Sequence, residues 1–200
     1  MWVSDGYTPS DLTSCEATKG PILIMMDSGV MNEAADGSFE ALLATLRSTT
    51  GMERKRAREV LSLVGDPAAP RLRGLLADSR KLVRWEAAKT LVAVVDPGSV
   101  EAFVALLSDT HSEVRWLAAS GLIALGPRSV APVLRSLTEP SPTRGRLQMS
   151  HRVLKGLSAE NDVLASLVEP LLETLKGNDP TPVAPAAARA LVELEEITRM

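Results

Sequence analysis

From about position 38 the apolar residues recur three and four apart, the spacing of one buried stripe on a helix. Five such stripes stand out: Phe39/Leu42/Leu43/Leu46, Leu72/Leu75/Leu76, Phe103/Leu106/Leu107, Val133/Leu134/Leu137 and Leu167/Leu171/Leu172/Leu175. Each is followed by a second amphipathic segment built around small residues and a leucine. Gly65-Asp66-Pro67, Asp96-Pro97-Gly98 and Gly126-Pro127 separate successive pairs. Glycine ends a helix and proline starts one, so these turns are short and consecutive helices are predicted to lie antiparallel.

The second segments carry a repeat. Val83-Arg84-Trp85-Glu86-Ala87-Ala88-Lys89-Thr90-Leu91 returns 31 residues later as Val114-Arg115-Trp116-Leu117-Ala118-Ala119-Ser120-Gly121-Leu122. Ala57 and Leu61 match it earlier in the chain, and Ser150, Leu154 and Leu157 match it later. Val183-Ala184-Pro185-Ala186-Ala187-Ala188-Arg189-Ala190-Leu191 carries the small-small-x-x-Leu pattern last. Small side chains at matching heights let helix axes approach to about 8–10 Å. No pair can cover its own stripe, so the pairs must stack around a shared core. The expectation is an all-α fold, an α-solenoid of about five antiparallel helix pairs over 38–200.

Asp78 with Val83-Arg84-x-x-Ala87-Ala88-x-x-Leu91, and Asp109 with Val114-Arg115-x-x-Ala118-Ala119-x-x-Leu122, resemble HEAT repeats. The likeness is to the short, phycobilisome-lyase-like form, whose period is about 30 residues. It covers about 38 to 196 and weakens at both ends, as capping pairs would. Ser48 replaces the Asp in the first pair. The fourth has Pro140 and Leu147 at the ladder positions, and the fifth has Asn178 and Ala184. The resemblance implies that Asp78, Arg84, Asp109 and Arg115 form a structural ladder joining the turns to the second helices. The alternative is that the arginines hold an anionic ligand.

Composition agrees with the helical reading. The chain is 45% hydrophobic but only 3% aromatic, which leaves Leu, Val and Ala to build the core. Residues 1–37 hold six acids against Lys19 alone, a charge of −5, and lack helical periodicity. They read as a disordered acidic N-terminal segment. Alternatively, translation starts at Met25, Met26 or Met31, and a docking role for Ile22-Leu23-Ile24 is a third reading. The remaining 163 residues carry 21 basic and 19 acidic residues, too even a balance for a general nucleic-acid binder. Cys15 is alone, so no internal disulfide forms, and a cytoplasmic protein without a membrane span is expected.

Trp85 and Trp116 lie about 200° around the helix from Val83 and Val114, so they should face away from the core. Either they stand side by side on a concave face, or each packs sideways over the next helix. The same columns add Lys55, Gln148 and Pro185, then Glu59, Lys89, Ser120, Arg152 and Arg189 one turn on, a modest excess of positive charge. An aromatic centre edged with cations suits a protein or peptide partner bearing acidic residues.

His111 and His151 fall in different pairs. The His-Glu dyads by which HEAT-like deoxyhypusine hydroxylases bind iron do not occur, and no P-loop, dinucleotide fingerprint or nucleophile elbow is present. The basic connection Thr143-Arg144-Gly145-Arg146 is a candidate contact point or hinge. The sequence therefore predicts a monomeric, non-enzymatic scaffold or adaptor with no cofactor and no metal. The resemblance leaves a bilin lyase-like or chaperone-type accessory factor as the runner-up. A HEAT-like nucleic-acid binder ranks third.

Overall fold

The repeat spacing appears as ten α-helices in a computed structural model that describes residues 31–177 and 179–199, with side chains from Ser38 onward. They are α1 (Met31–Thr45), α2 (Gly51–Val64), α3 (Ala69–Leu75), α4 (Lys81–Val94) and α5 (Val100–Leu106). Then come α6 (Ser112–Leu125), α7 (Val130–Thr138), α8 (Arg144–Ser158), α9 (Asp162–Lys176) and α10 (Val183–Arg199). No strand occurs among the described residues. Helix α1 begins seven residues before the boundary at 38 that the sequence suggested. The readings placed on residues 1–30, including Ile22-Leu23-Ile24 and the alternative starts Met25 and Met26, fall outside the described residues.

Within the unit Ser38–Met200, the second helices α2, α4, α6 and α8 pack each on the one before and form one layer. The first helices α3, α5 and α7 lie across from them, each against its own partner. The small residues sit where the layers close: Ala57, Ala87, Ala88, Ala118, Ala119 and Ser150 are all at most 2% exposed. Leu61, Leu91, Leu122 and Leu154 beside them are wholly buried. Each such leucine contributes about 1.5–3 kcal/mol by leaving water. Gly121 shows how close the approach is, because a Cβ there would lie 2.7 Å from the Phe103 ring.

Chain reversal between pairs depends on the backbone at the end of each second helix. Gly65, Val95 and Gly126 end α2, α4 and α6 with φ of 71°, 55° and 74°. A 3-10 turn follows each of them, Asp66–Ala68, Pro97–Ser99 or Gly126–Ser129, and leads the chain to the first-helix layer. Ser99 Oγ–H donates to Asp96 Oδ2 at 2.6 Å and Ser129 Oγ–H to the Leu122 carbonyl at 2.8 Å, so both turns are pinned from inside.

The fifth pair departs from the sequence alignment. Helix α8 ends at Ala159 with φ −60° and ψ −27°, and no 3-10 turn follows it. The chain therefore turns straight back, and α9 lies along α8 in the second-helix layer. Helix α10 packs on α9 and on α7, so it continues the first-helix layer. Its buried face is Val183, Ala186, Ala187 and Ala190, while Ala188 is exposed. That register is rotated from the Ala87-Ala88 pattern it was matched to.

By length and composition the run Ser112–Thr138 could cross a membrane. Most of its apolar positions are committed to the shared core, among them Val114, Leu122, Val133 and Leu137, all buried.

Candidate partner-binding face

Helices α4 and α6 turn Val83, Ala87 and Leu91, and Val114, Ala118 and Leu122, into the core. The 100° step per residue then carries positions 85 and 116 to the outer side. Trp116 is 50% exposed. Trp85 is only half-buried by the same helix geometry, and it packs against the edge of the core. Both readings of the tryptophans thus have a counterpart: Trp116 presents its ring, and Trp85 also tightens the stack.

Each indole carries a cation. The Arg152 guanidinium, on α8, lies 5.1 Å from the Trp116 ring centre. Lys89 Nζ is 4.7 Å from the Trp85 centre, and the Arg58 guanidinium from α2 is 5.9 Å from it. These contacts are attractive because the ring faces are electron-rich. Burial pushes the Lys89 ammonium below its ordinary range, and Arg58 and Lys55 add to the shift against the opposing pull of Glu86.

Glu86 is the acid at the centre of this cluster and is 2% exposed. Arg54 Nε–H donates to its Oε1 at 2.7 Å, and Arg58 Nε lies 2.6 Å from Oε2. Glu86 is therefore paired with two arginines within the stack, although its Oε2 faces Arg58 as an ion pair without an aligned hydrogen bond. Lys55 reaches Glu59 at 3.8 Å on its own helix. Among the described residues, neither Lys89 nor Arg152 meets a carboxylate. Ser120 Oγ–H donates to the Trp116 carbonyl at 3.0 Å, and Gln148 is exposed. Arg189 does not join this face, contrary to its place in the sequence columns. It belongs to α10, which continues the other layer, for the reason given by the α8–α9 turn.

The ladder runs between repeats. Arg84 Nη1–H donates to the carbonyls of Asp78 and Ser79 at 2.8 and 3.0 Å, closing its own turn. Its Nε–H and Nη2–H donate to Asp109 of the next repeat at 2.6 and 3.0 Å. The Asp78 side chain instead pairs with Arg80 and, at 3.7 Å, with Arg47. Arg115 repeats the first half of this pattern, donating to the carbonyls of Asp109 and Thr110 at 2.8 and 3.1 Å. Among the described residues no carboxylate of the fourth pair reaches it, and Arg115 Nε is buried without a hydrogen-bond partner against Gly145.

Two ladder residues were missed in the sequence. Arg54 donates to the carbonyls of Ser48 and Thr49 at 2.8 and 2.9 Å and takes Glu86 as its acid. Arg146, which is 31 residues beyond Arg115, donates to Ser108 Oγ at 2.7 Å and the Ser136 carbonyl at 3.0 Å, and pairs with Glu139. The 31-residue interval would have found it. The helix core of that pair is offset by 32, which pointed to Leu147 instead.

His111 Nδ1 sits 3.3 Å from both Asp109 Oδ1 and Arg84 Nη2, so this histidine belongs to the ladder. His151 Nε2 is buried with no partner among the described residues. Burial first, and then Lys155 and Lys176, lower its pKa, opposed by Glu173. No group of three or more His, Cys, Asp or Glu able to hold a metal occurs among the described residues. A shallow depression lined by Gly51, Met52, Lys55, Arg56 and Glu59 borders the face on α2.

The family described as HEAT repeats matches residues 39–123 and 83–155. Among solved structures, the complex of CpcE and CpcF of phycocyanin lyase from Nostoc sp. PCC7120 is similar at 21% identity and a TM-score of 0.55. The match covers 78% of this chain and 98% of that one, and is a likeness of fold. Two engineered proteins match at TM-scores of 0.41, with 25% and 22% identity. They cover 84% of this chain in each case, and 83% and 85% of their own. No curated protein matches by sequence.

Proposed function

The chain belongs to the HEAT-repeat family, and from that premise we propose that it is a non-enzymatic scaffold or adaptor. It holds a protein partner against the outer side of α4, α6 and α8. The observation that carries this reading is Trp116, half exposed and capped by an Arg152 that meets no acid among the described residues. A large exposed aromatic is unusual on a soluble surface and is typical of binding hot spots. The cation above it leaves the ring edge and the guanidinium hydrogens free for a ligand.

The test is affinity capture with the wild-type chain and with Trp85 and Trp116 both changed to Ala. Partners retained by the wild type should be lost from the variant. Trp116→Ala alone, which removes a ring that is half exposed and outside the core, keeps the comparison valid if the double variant is destabilised. Undiminished capture by both variants would reject the reading. The likeness to the CpcE–CpcF complex motivates a second reading, a lyase-like accessory factor. A visible absorbance band that co-purifies with the chain would favour it.

A further inference from the structure

We infer that the occupant of this face is an extended acidic segment whose carboxylates, about three residues apart, meet Lys89 above Trp85 and Arg152 above Trp116. The inference rests on the partner-docking reading and specifies the ligand of the same site.

Three observations carry it. First, the face holds uncompensated positive charge. Its acids are already engaged, Glu86 by Arg54 and Arg58 and Glu59 by Lys55. Lys89 and Arg152 meet none among the described residues. Second, both cations are held over indole rings, at 4.7 and 5.1 Å. Their positions are fixed by the stack, which lowers the ordering cost that exposed ion pairs normally incur. Third, the two rings recur at the helix spacing. Trp85 and Trp116 occupy equivalent positions on α4 and α6, which pack against one another, and Arg152 reaches back from α8 so that its charged head lies over the α6 ring. Neighbouring axes lie about 8–10 Å apart, and an extended chain advances about 3.3 Å per residue. One step of the stack therefore spans about three residues of ligand.

The surface between the units accepts a backbone. Ser120 is the residue between Lys89 and Arg152 in their column, and its hydroxyl is turned onto its own helix. One turn further on, Ala93, Ala124 and Gly156 are exposed and small. The body's overall balance is close to neutral, so the attraction is local. A polyanion such as nucleic acid, which needs cations along several nucleotides, is served less well by two ring-held cations than a short acidic segment is.

A fluorescein-labelled twelve-residue peptide repeating Glu-Ser-Gly, which places a carboxylate at every third residue, is the probe. A peptide of the same composition with its glutamates in one block, and a twelve-nucleotide oligothymidylate, are the comparisons. Fluorescence anisotropy at low salt should show saturable binding of the spaced peptide. Trp116→Ala and Arg152→Glu should each weaken it at least about tenfold. Arg128→Glu, the same charge change on an exposed turn away from the face, should leave it unaltered. Circular dichroism checks that each variant is folded.

Absence of saturable binding, or equal binding by all three variants, overturns the inference. Equal affinity for the blocked peptide overturns the register, and tighter binding of oligothymidylate replaces the peptide with a nucleic acid. If captured partners depend on Trp116 but are not displaced by excess spaced peptide, the acidic ligand is wrong while the docking reading stands.

Discussion

Arg84 on α4 and Asp109 in the turn before α6 form a two-pronged ion pair, at 2.6 and 3.0 Å, that ties one repeat to the next. Their side chains are 12% and 4% exposed, so the pair is largely withdrawn from water. Removing one partner strands the other, which costs about 3–5 kcal/mol in such settings. Arg84→Ala and Asp109→Ala should each lower stability by about that amount in urea or thermal melts. Arg84→Met with Asp109→Leu should recover most of the loss, since a packed apolar pair needs no solvation. A double variant as unstable as the singles would show that the pair is not acting as a unit.

Arg115 presents the same helix position without the acid. It keeps two hydrogen bonds to carbonyls, while its Nε stays buried and unpartnered. Arg115→Ala forfeits those two bonds and some packing on Gly145, but it also removes an unsatisfied donor. The expected cost is about 1–2 kcal/mol, clearly below that of Arg84→Ala. Parallel melts of the two variants decide this, and equal losses would mean that an acid completes the Arg115 site in solution.

The ladder also sets acid sensitivity. Hydrogen bonding from Arg80 holds the Asp78 carboxyl down to about 2. Burial pushes the carboxyls of Asp109 and Asp96 up. Hydrogen bonds from Arg84 and His111 to Asp109, and from Ser99 and Arg73 to Asp96, outweigh it and leave both below the ordinary value. A carboxyl whose pKa is lower in the folded state contributes stability above its unfolded value, about 3.9, and loses it as pH falls through the folded value. Stability should start to fall below about pH 6.5, where the buried His151 resists protonation, and should decline further from about pH 4 toward 2 as the ladder carboxyls titrate. Asp109→Asn should flatten that decline. A variant with an unchanged slope would place the acid response elsewhere.

How far the sequence could be read follows the kind of interaction involved. The stacked pairs were legible because each repeat writes its own buried stripe, and Ala87-Ala88 and Ala118-Ala119 mark the heights at which helices meet. The ladder was half legible. Spacing showed that Arg84 had an acid nearby, but an acid six residues back and one 25 residues ahead are equally compatible with it. The choice of Asp109 over Asp78 depends on how repeats stack. The layer occupied by α10 was misread because Val183 to Leu191 has the composition of a second helix. Its layer is determined upstream, where α8 ends without the glycine and proline that return the chain elsewhere. The absence of that punctuation after Ser158 was the available signal. Trp85 and Trp116 were alike in sequence but are unequal in exposure, a difference set by neighbours on adjacent helices.

Val95 isolates the role of the turn backbone. It ends α4 at φ 55° and ψ 44°, where α2 and α6 use Gly65 and Gly126. A β-branched residue in this left-handed region costs about 1–2 kcal/mol from the clash of its Cβ with the following carbonyl. Glycine removes the clash but adds about 0.4–1 kcal/mol of chain entropy to the unfolded state. Val95 is 45% exposed, so little buried area is lost. Val95→Gly should therefore raise stability by about 0.5–1 kcal/mol, with its N–H still bonded to the Leu91 carbonyl. Val95→Ala should give little or no such gain, because any Cβ meets the same carbonyl. If the glycine variant melts lower than the parent, contacts of the Val95 side chain outweigh its backbone strain, and the turn tolerates valine for a reason other than geometry.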